Sequence, residues 1–306
     1  MALAVRPIEE RRLLGIGLVV LGYMMFTIID SCAKWLSQSG LPTSEIVFIR
    51  YAGQLFIVSA LLLPARGRDL LATRNLRLEV MRGLFLLMST VANFVAILFL
   101  PLNVTGAIAF TMPLMLMALS IPLLGEQVGW RRWLAIAVGF VGILVIVRPG
   151  TEAFHPAVLL SLACAFFTAL YMVATRKLAG VDAVSTQQFY AALVATICLV
   201  PFVVGGGWVW PTDPAGWFCF AAIGTAAFIG HQLLTTAHRY APASVLAPFG
   251  YVQIAFLTAS SWLVFNEPPD IWFFAGLPIV IGSGLYIWLR ERQLSKTVVT
   301  DVGRRD

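Results

Sequence analysis

The chain has 306 residues, 59% of them hydrophobic and 12% charged, with a mean hydropathy of +0.87. So few charges cannot cover a water-soluble globule of this length, and the solvent for folding is therefore a lipid bilayer. The net charge of +6 needs no nucleic acid to explain it, because the cations collect in a rim beside the membrane, where anionic lipid attracts them.

A window of about 20 residues predicts ten apolar spans, at about 13–36, 44–63, 82–100, 103–124, 130–147, 156–175, 185–204, 215–237, 243–264 and 270–289. The first is too long for a signal-peptide core and is followed by no obvious cleavage site, so it is expected to stay as a helix. Cations punctuate the spans on one side. Arg6, Arg11 and Arg12 precede span 1; Arg66, Arg68, Arg74, Arg77 and Arg82 lie between spans 2 and 3; Arg131 and Arg132 lie between 4 and 5. Arg176 and Lys177 follow span 6, Arg239 follows span 8, and Arg290, Arg292, Lys296, Arg304 and Arg305 follow span 10. Of the 21 basic residues only Lys34, Arg50 and Arg148 depart from this side, and the positive-inside rule then puts both termini in the cytoplasm.

The spans repeat. Phe26 and Thr27 fall on Phe167 and Thr168, an offset of 167 − 26 = 141 residues, and the same offset carries Ala33 to Ala174, Phe48 to Phe189 and Gly83 to Gly224. It continues through Pro101 and Pro242, Val104 and Val245, and Glu126 and Glu267. One constant offset over roughly 100 positions marks a duplication. Five spans per copy is an odd number, so the second copy enters the membrane upside down. The expected architecture is all-α, with ten transmembrane helices as two inverted five-helix repeats, 13–148 and 155–290, between cytoplasmic tails 1–12 and 291–306. Inverted repeats of this kind suit alternating access around a site near the midplane.

Charges inside hydrocarbon mark pathways or partners. At about 1.5 Å per residue, Asp30 lies roughly 9 Å inside the outer boundary and Arg50 about 12 Å. Lys34 is one turn beyond Asp30 on the same face, shallow enough to snorkel. With Glu45 above them the corner carries two acids and two bases, the balance that burial requires. Either Asp30 anchors span 1 through Lys34 or Arg50, or one of these charges is kept for a substrate. The 141-residue shift takes Asp30 to Tyr171 and Arg50 to Ala191, so the repeat as such does not need the cluster.

Uncharged polar and aromatic side chains sit nearer the midplane: Tyr23, Phe26, Thr27, Asn93, Thr111, Met115, Phe167, Tyr171, Tyr251 and Gln253, with His231 and Gln232 towards the cytoplasmic end of span 8. Asn93 and Gln253 must bond another helix or line a cavity. His231 is either a neutral, hydrogen-bonded ring or a proton-coupling group. Pro113 and Pro122 interrupt span 4, and Pro248 and Gly250 interrupt its counterpart, span 9, as expected of hinge or gating elements. The four cysteines all lie inside spans without metal-ligand spacing, and there is no phosphate-binding loop. Hence no cofactor, no metal and no enzymatic chemistry is expected, the only plausible catalytic actors being Asp30 and His231.

Gly125-Glu126, the run Gly139-Phe-Val-Gly142 and Arg148-Pro149-Gly150, with Asn266-Glu267 in the second copy, resemble the repeat of EamA-type members of the drug/metabolite transporter superfamily. The second copy departs after Glu267, with Pro268-Pro269 and no Arg-Pro-Gly. The resemblance implies helices 1–4 and 6–9 around a central cavity, helices 5 and 10 peripheral, and a monomer or weak homodimer through those two. It implies a bacterial inner-membrane carrier of a small polar metabolite. Amino acids, exported in the manner of the YddG-type aromatic amino acid exporters, are expected; the run Asp30-Ser-Cys-Ala-Lys-Trp-Leu36 with Phe48-Ile-Arg50 also resembles a subgroup with S-adenosylmethionine carriers.

Overall fold

In hydrocarbon every backbone N–H and C=O must find its partner within the protein, which leaves helices as the available form for these apolar runs. The computed structural model describes residues 11–124, 130–151 and 154–302, and among them the regular structure is entirely helical. In chain order the elements are α1 (Arg12–Gln38), α2 (Thr43–Arg66), α3 (Leu76–Phe99), α4 (Leu102–Ala109), α5 (Met112–Leu124), α6 (Trp130–Val147), α7 (Val158–Leu178), α8 (Val184–Gly206), α9 (Pro214–Tyr240), α10 (Ala243–Leu246), α11 (Val252–Leu263) and α12 (Ile271–Val302). Gly125, Glu126, Arg6, Arg304 and Arg305 lie outside the described residues.

Among the described residues eight segments are long and apolar enough to cross a membrane. Trp133–Val147 is a shorter apolar helix, and the ninth predicted span is broken into α10, a 3-10 turn over Ala247–Tyr251, and α11. The fourth is interrupted at Phe110 and Thr111, between α4 and α5. Both interruptions end within one residue of matching places, the first at Thr111 and the second at Tyr251, which is 141 from Phe110. Pro113 and Pro248 cannot donate the amide hydrogen bond that a continuous helix would use here. Pro122 lies inside the last turns of α5 and makes no comparable break.

Two boundaries differ from expectation. The third span starts at Leu76 rather than near 82, because Asn75 caps it by accepting the Leu78 amide at 3.1 Å. Arg77, Glu79 and Arg82 are thereby helical, and Arg82 is buried rather than part of a cytoplasmic loop. The last helix runs on to Val302, so much of the expected tail is helical.

The two copies pack by exchange. α1 packs chiefly on α9 and α3 on α7, α2 and α3 pack on α9 and α8 respectively, and α6 pairs with α12. The same exchange appears at single residues. A Cβ on Gly53 would lie 3.2 Å from the Gly224 Cα, and one on Gly83 would lie 3.0 Å from the Val194 Cβ. Shifting Gly53 by 141 gives Val194 and shifting Gly83 gives Gly224, so the contacts swap partners as a two-fold axis requires. Gly139 against Ser283 and Gly142 against Val280 repeat the relation at the α6–α12 contact. Phe110 and Tyr251, themselves 141 apart, stack at 4.8 Å, which puts them beside that axis. Small residues let backbones approach closely where no hydrophobic force acts between helices.

Candidate functional site

Between the helices lies a cavity of about 570 Å³. Asp30 and Asn93 meet at one end, where the Asn93 Nδ2 donates to the Asp30 Oδ1 at 2.9 Å. Among the described residues Asp30 forms no ion pair within 4.0 Å. Arg50 also faces the cavity. Its Nη1 donates to the Thr90 Oγ1 at 2.9 Å, its guanidinium lies 4.5 Å from the Tyr51 ring centre, and its Nε has no hydrogen-bond partner. Tyr51 holds this arrangement, with its hydroxyl 2.7 Å from the Thr90 Oγ1 and donating to the Leu86 carbonyl at 3.1 Å. A carboxylate, a carboxamide and a guanidinium with spare donor capacity thus share one apolar-walled chamber, which can take a group carrying both signs of charge.

The charge-balanced corner expected from the sequence does not form as one cluster. Lys34 turns away from Asp30 and donates to both oxygens of Glu267, at 2.6 and 2.7 Å, and to the Leu100 carbonyl at 3.2 Å. The Phe265 ring lies 5.2 Å from its Nζ. Glu45 instead accepts the Val209 amide of the α8–α9 loop at 3.1 Å. Residues four apart on a helix share a face, but Glu267 comes from the α11–α12 turn, and a full carboxylate outbids a shared face. The Lys34 pair lies one turn beyond Asp30.

At the other end the lining runs to Arg176 in the last turn of α7, to Ser120 on α5 and to Trp288 on α12. Aromatic groups form the walls between: Tyr23 lies edge-on to Phe26 at 6.1 Å, Phe26 edge-on to His231 at 5.1 Å, and Phe110 stacks on Tyr251. Tyr251 and Tyr23 reach their places because glycine stands opposite: a Cβ on Gly284 would collide with the Tyr251 hydroxyl, and one on Gly250 would lie 3.0 Å from that of Tyr23. Gln253, Pro113 and Pro248 also line the cavity.

Other expected lining residues are turned elsewhere. Thr27 donates to the Tyr23 carbonyl four residues back in its own helix, and Thr111, at the α4–α5 break, donates to the Ile108 carbonyl three back. Gln232 accepts from the Gln188 Nε2 at 3.3 Å between α8 and α9, and Phe167 packs edge-on to Phe166 at 5.7 Å. Met115 gives its place to Met112, Leu116 and Met117. A hydroxyl in a helix satisfies itself most cheaply on the carbonyl four residues back, so polarity alone overestimated the lining.

Several polar residues on or behind the walls escaped the sequence reading. Ser89 and Thr168 face each other at 2.6 Å across α3 and α7. Arg82, three turns from Asn93 on α3, donates to the Tyr171 hydroxyl at 2.7 Å, the Thr175 Oγ1 at 2.8 Å and the Gln187 carbonyl at 2.8 Å. Its position at the assumed edge of a span disguised it. The run Ser89, Thr90 and Asn93 inside an apolar segment was the available signal.

The sequence model of the EamA-like transporter family matches this chain twice, over residues 13–148 and 155–289. Similarity extends nearly end to end with an S-adenosylmethionine uptake transporter of Rickettsia bellii (strain RML369-C), 27% identical over 291 residues that cover 93% of this chain and 97% of that protein. A riboflavin transporter of Vibrio cholerae serotype O1 is 28% identical, covering 89% of this chain and 92% of its own. The pseudopaline exporter CntI of Pseudomonas aeruginosa (strain UCBPP-PA14) is 29% identical, covering 87% and 93%.

Proposed function

Because the chain belongs to the EamA-like transporter family, and so is a multi-pass bacterial inner-membrane protein, we propose that it is a secondary carrier working by alternating access, with the cavity as its substrate site. The reading takes ten crossings, two inverted repeats and both termini in the cytoplasm. In that frame the chamber is closed on the outer side by Lys34 and Glu267 and open inwards past Arg176. It is a carrier rather than an enzyme, and a monomer or weak homodimer through α6 and α12.

The substrate is an amino acid or amino acid derivative carrying a planar ring. The observation that carries this is Asp30 with Asn93 and the spare Nε of Arg50 at one end of a chamber walled by Tyr23, Phe26, Phe110 and Tyr251. The carboxylate suits an ammonium, the guanidinium a carboxylate and the rings a flat heterocycle or arene. S-Adenosylmethionine and the aromatic amino acids each have all three parts, and a relative is named for S-adenosylmethionine uptake. A carrier is reversible, so direction follows the gradients, and the relatives' names include both uptake and export. Equilibrium binding of tritiated S-adenosylmethionine and tritiated tryptophan to purified protein, with riboflavin as competitor, tests the assignment. Absence of saturable binding of both labelled compounds overturns it.

A further inference from the structure

A second ionisable site adjoins the chamber. Glu79 on α3 is fully buried, and neither of its carboxyl oxygens has a hydrogen-bond donor. Arg82, one turn on, is the nearby cation, yet its closest nitrogen stays 4.0 Å from the Glu79 Oε2. Each of its three nitrogens donates to a neutral acceptor instead: Nε to Thr175, Nη1 to the Gln187 carbonyl and Nη2 to Tyr171. A second carboxyl, that of Asp182 in the α7–α8 turn, acts on Glu79. Asp182 already accepts from the Thr73 hydroxyl at 2.6 Å and from the Arg74 amide at 2.9 Å.

A fully buried carboxyl without a donor, beside a second acid and 4.0 Å from its nearest cation, is costly to ionise, and two interacting carboxyls then share one proton. Asp182, supplied with donors, is the acceptor, so the proton sits on Glu79 and bridges to it. The charged groups acting on Glu79 are Arg82 and Asp182; α7 contributes the neutral hydroxyls of Tyr171 and Thr175, and α8 the Gln187 carbonyl.

The geometry points to Glu79 as a proton-binding site that couples proton movement to transport. Tyr171 is the link, since it lines the substrate chamber and also holds Arg82 off Glu79. When α7 shifts against α3 in the transport cycle, Arg82 loses Tyr171 and Thr175 and closes on Glu79. The carboxylate is then paired, and its proton passes to water through Asp182. When α7 returns, the proton is taken back from water. This rests on the carrier reading above.

Two measurements test it. Infrared difference spectroscopy of the purified protein at neutral pH, without substrate, is expected to show the carbonyl band of a buried carboxylic acid that disappears in Glu79→Gln. A band unchanged in Glu79→Gln overturns the proposal. Should that variant fail to fold, Asp182→Asn serves: the band must shift as its acceptor changes, and an unmoved band has the same force. In proteoliposomes loaded for tritiated S-adenosylmethionine, Glu79→Gln is expected to retain counterflow while losing at least about tenfold of the uptake driven by an imposed pH gradient. Wild-type exchange without any response to the gradient, or a full response in Glu79→Gln, refutes coupling. If the wild type moves no S-adenosylmethionine at all, it is the substrate assignment that fails, and the spectroscopic result still decides the proton site.

Discussion

Replacing Lys34 by Met should open the sealed end of the chamber. The ammonium is 2% exposed and carries two short bonds to Glu267, one to Leu100 and the Phe265 ring. Breaking an interior pair costs about 3–5 kcal/mol, an exposed one about 0–1 kcal/mol. The Glu267 side chain is 29% exposed, so water takes over part of its solvation and the loss falls near ~2 kcal/mol. On the carrier reading the contact belongs to the closed state of this end, so the whole amount acts on the equilibrium between closed and open. At about 1.4 kcal/mol per tenfold, the open population rises roughly thirtyfold. Leu100, 6% exposed beneath the pair, is the reporter. In a chain whose native cysteines are replaced by alanine, Leu100→Cys should react with a membrane-impermeant maleimide about thirty times faster when Lys34→Met is added. Equal rates in the two backgrounds would show that the pair does not hold the chamber shut.

Asp30→Asn and Arg50→Ala should each weaken substrate binding by tenfold or more while the protein still elutes as a single species, since each removes about 1.5–3 kcal/mol of charge-assisted bonding; unchanged binding in both would leave those groups as scaffolding. Gly224→Val places a side chain against the Gly53 backbone, where even a Cβ lies 2.9 Å from the Gly53 Cα, and should destabilise by about 1–3 kcal/mol, read as a lower melting temperature in detergent. Tyr251→Leu removes the stack on Phe110, worth about 0.5–1.5 kcal/mol beyond its area, and should alter counterflow rate more than binding. At the α7–α8 turn, burial pushes the Asp182 carboxyl up, but bonds from Thr73, the Arg74 amide and Glu79 together hold it below its ordinary value. A depressed carboxyl stabilises the fold above its unfolded value of about 3.9 and loses that contribution as pH falls through the folded one. Melting temperature should therefore drop below about pH 4, and less steeply in Asp182→Asn.

Much of the architecture was legible before any fold was seen. Apolar length located the helices, because the bilayer demands the same run of residues wherever a span falls, and a constant offset related the two halves of the sequence. The offset even anticipated contacts: Gly83 and Gly224 were matched as equivalents, and each turned out to sit at an exchanged crossing between the copies. Prolines in spans 4 and 9 marked where α4 gives way to α5 and α10 to α11, since a missing amide donor is a local property. Of the polar residues, Asp30, Arg50, Asn93, Tyr23, Phe26, Tyr171, His231, Tyr251 and Gln253 do face the chamber.

Partnership was a different matter. Hydropathy and spacing put Lys34 beside Asp30, yet its ammonium ends on Glu267, 233 residues away; Arg82 looked like a loop cation and is instead the hub between Glu79 and Tyr171. A sequence by itself determines how deep a side chain lies and which face of its own helix it occupies, because both follow from a rise and a turn per residue. Which group it finds across the interface was decided only by the tertiary structure, since that depends on how separate helices rotate and cross, and a charge in a low-dielectric interior takes whichever opposite charge or lone pair those rotations bring within reach.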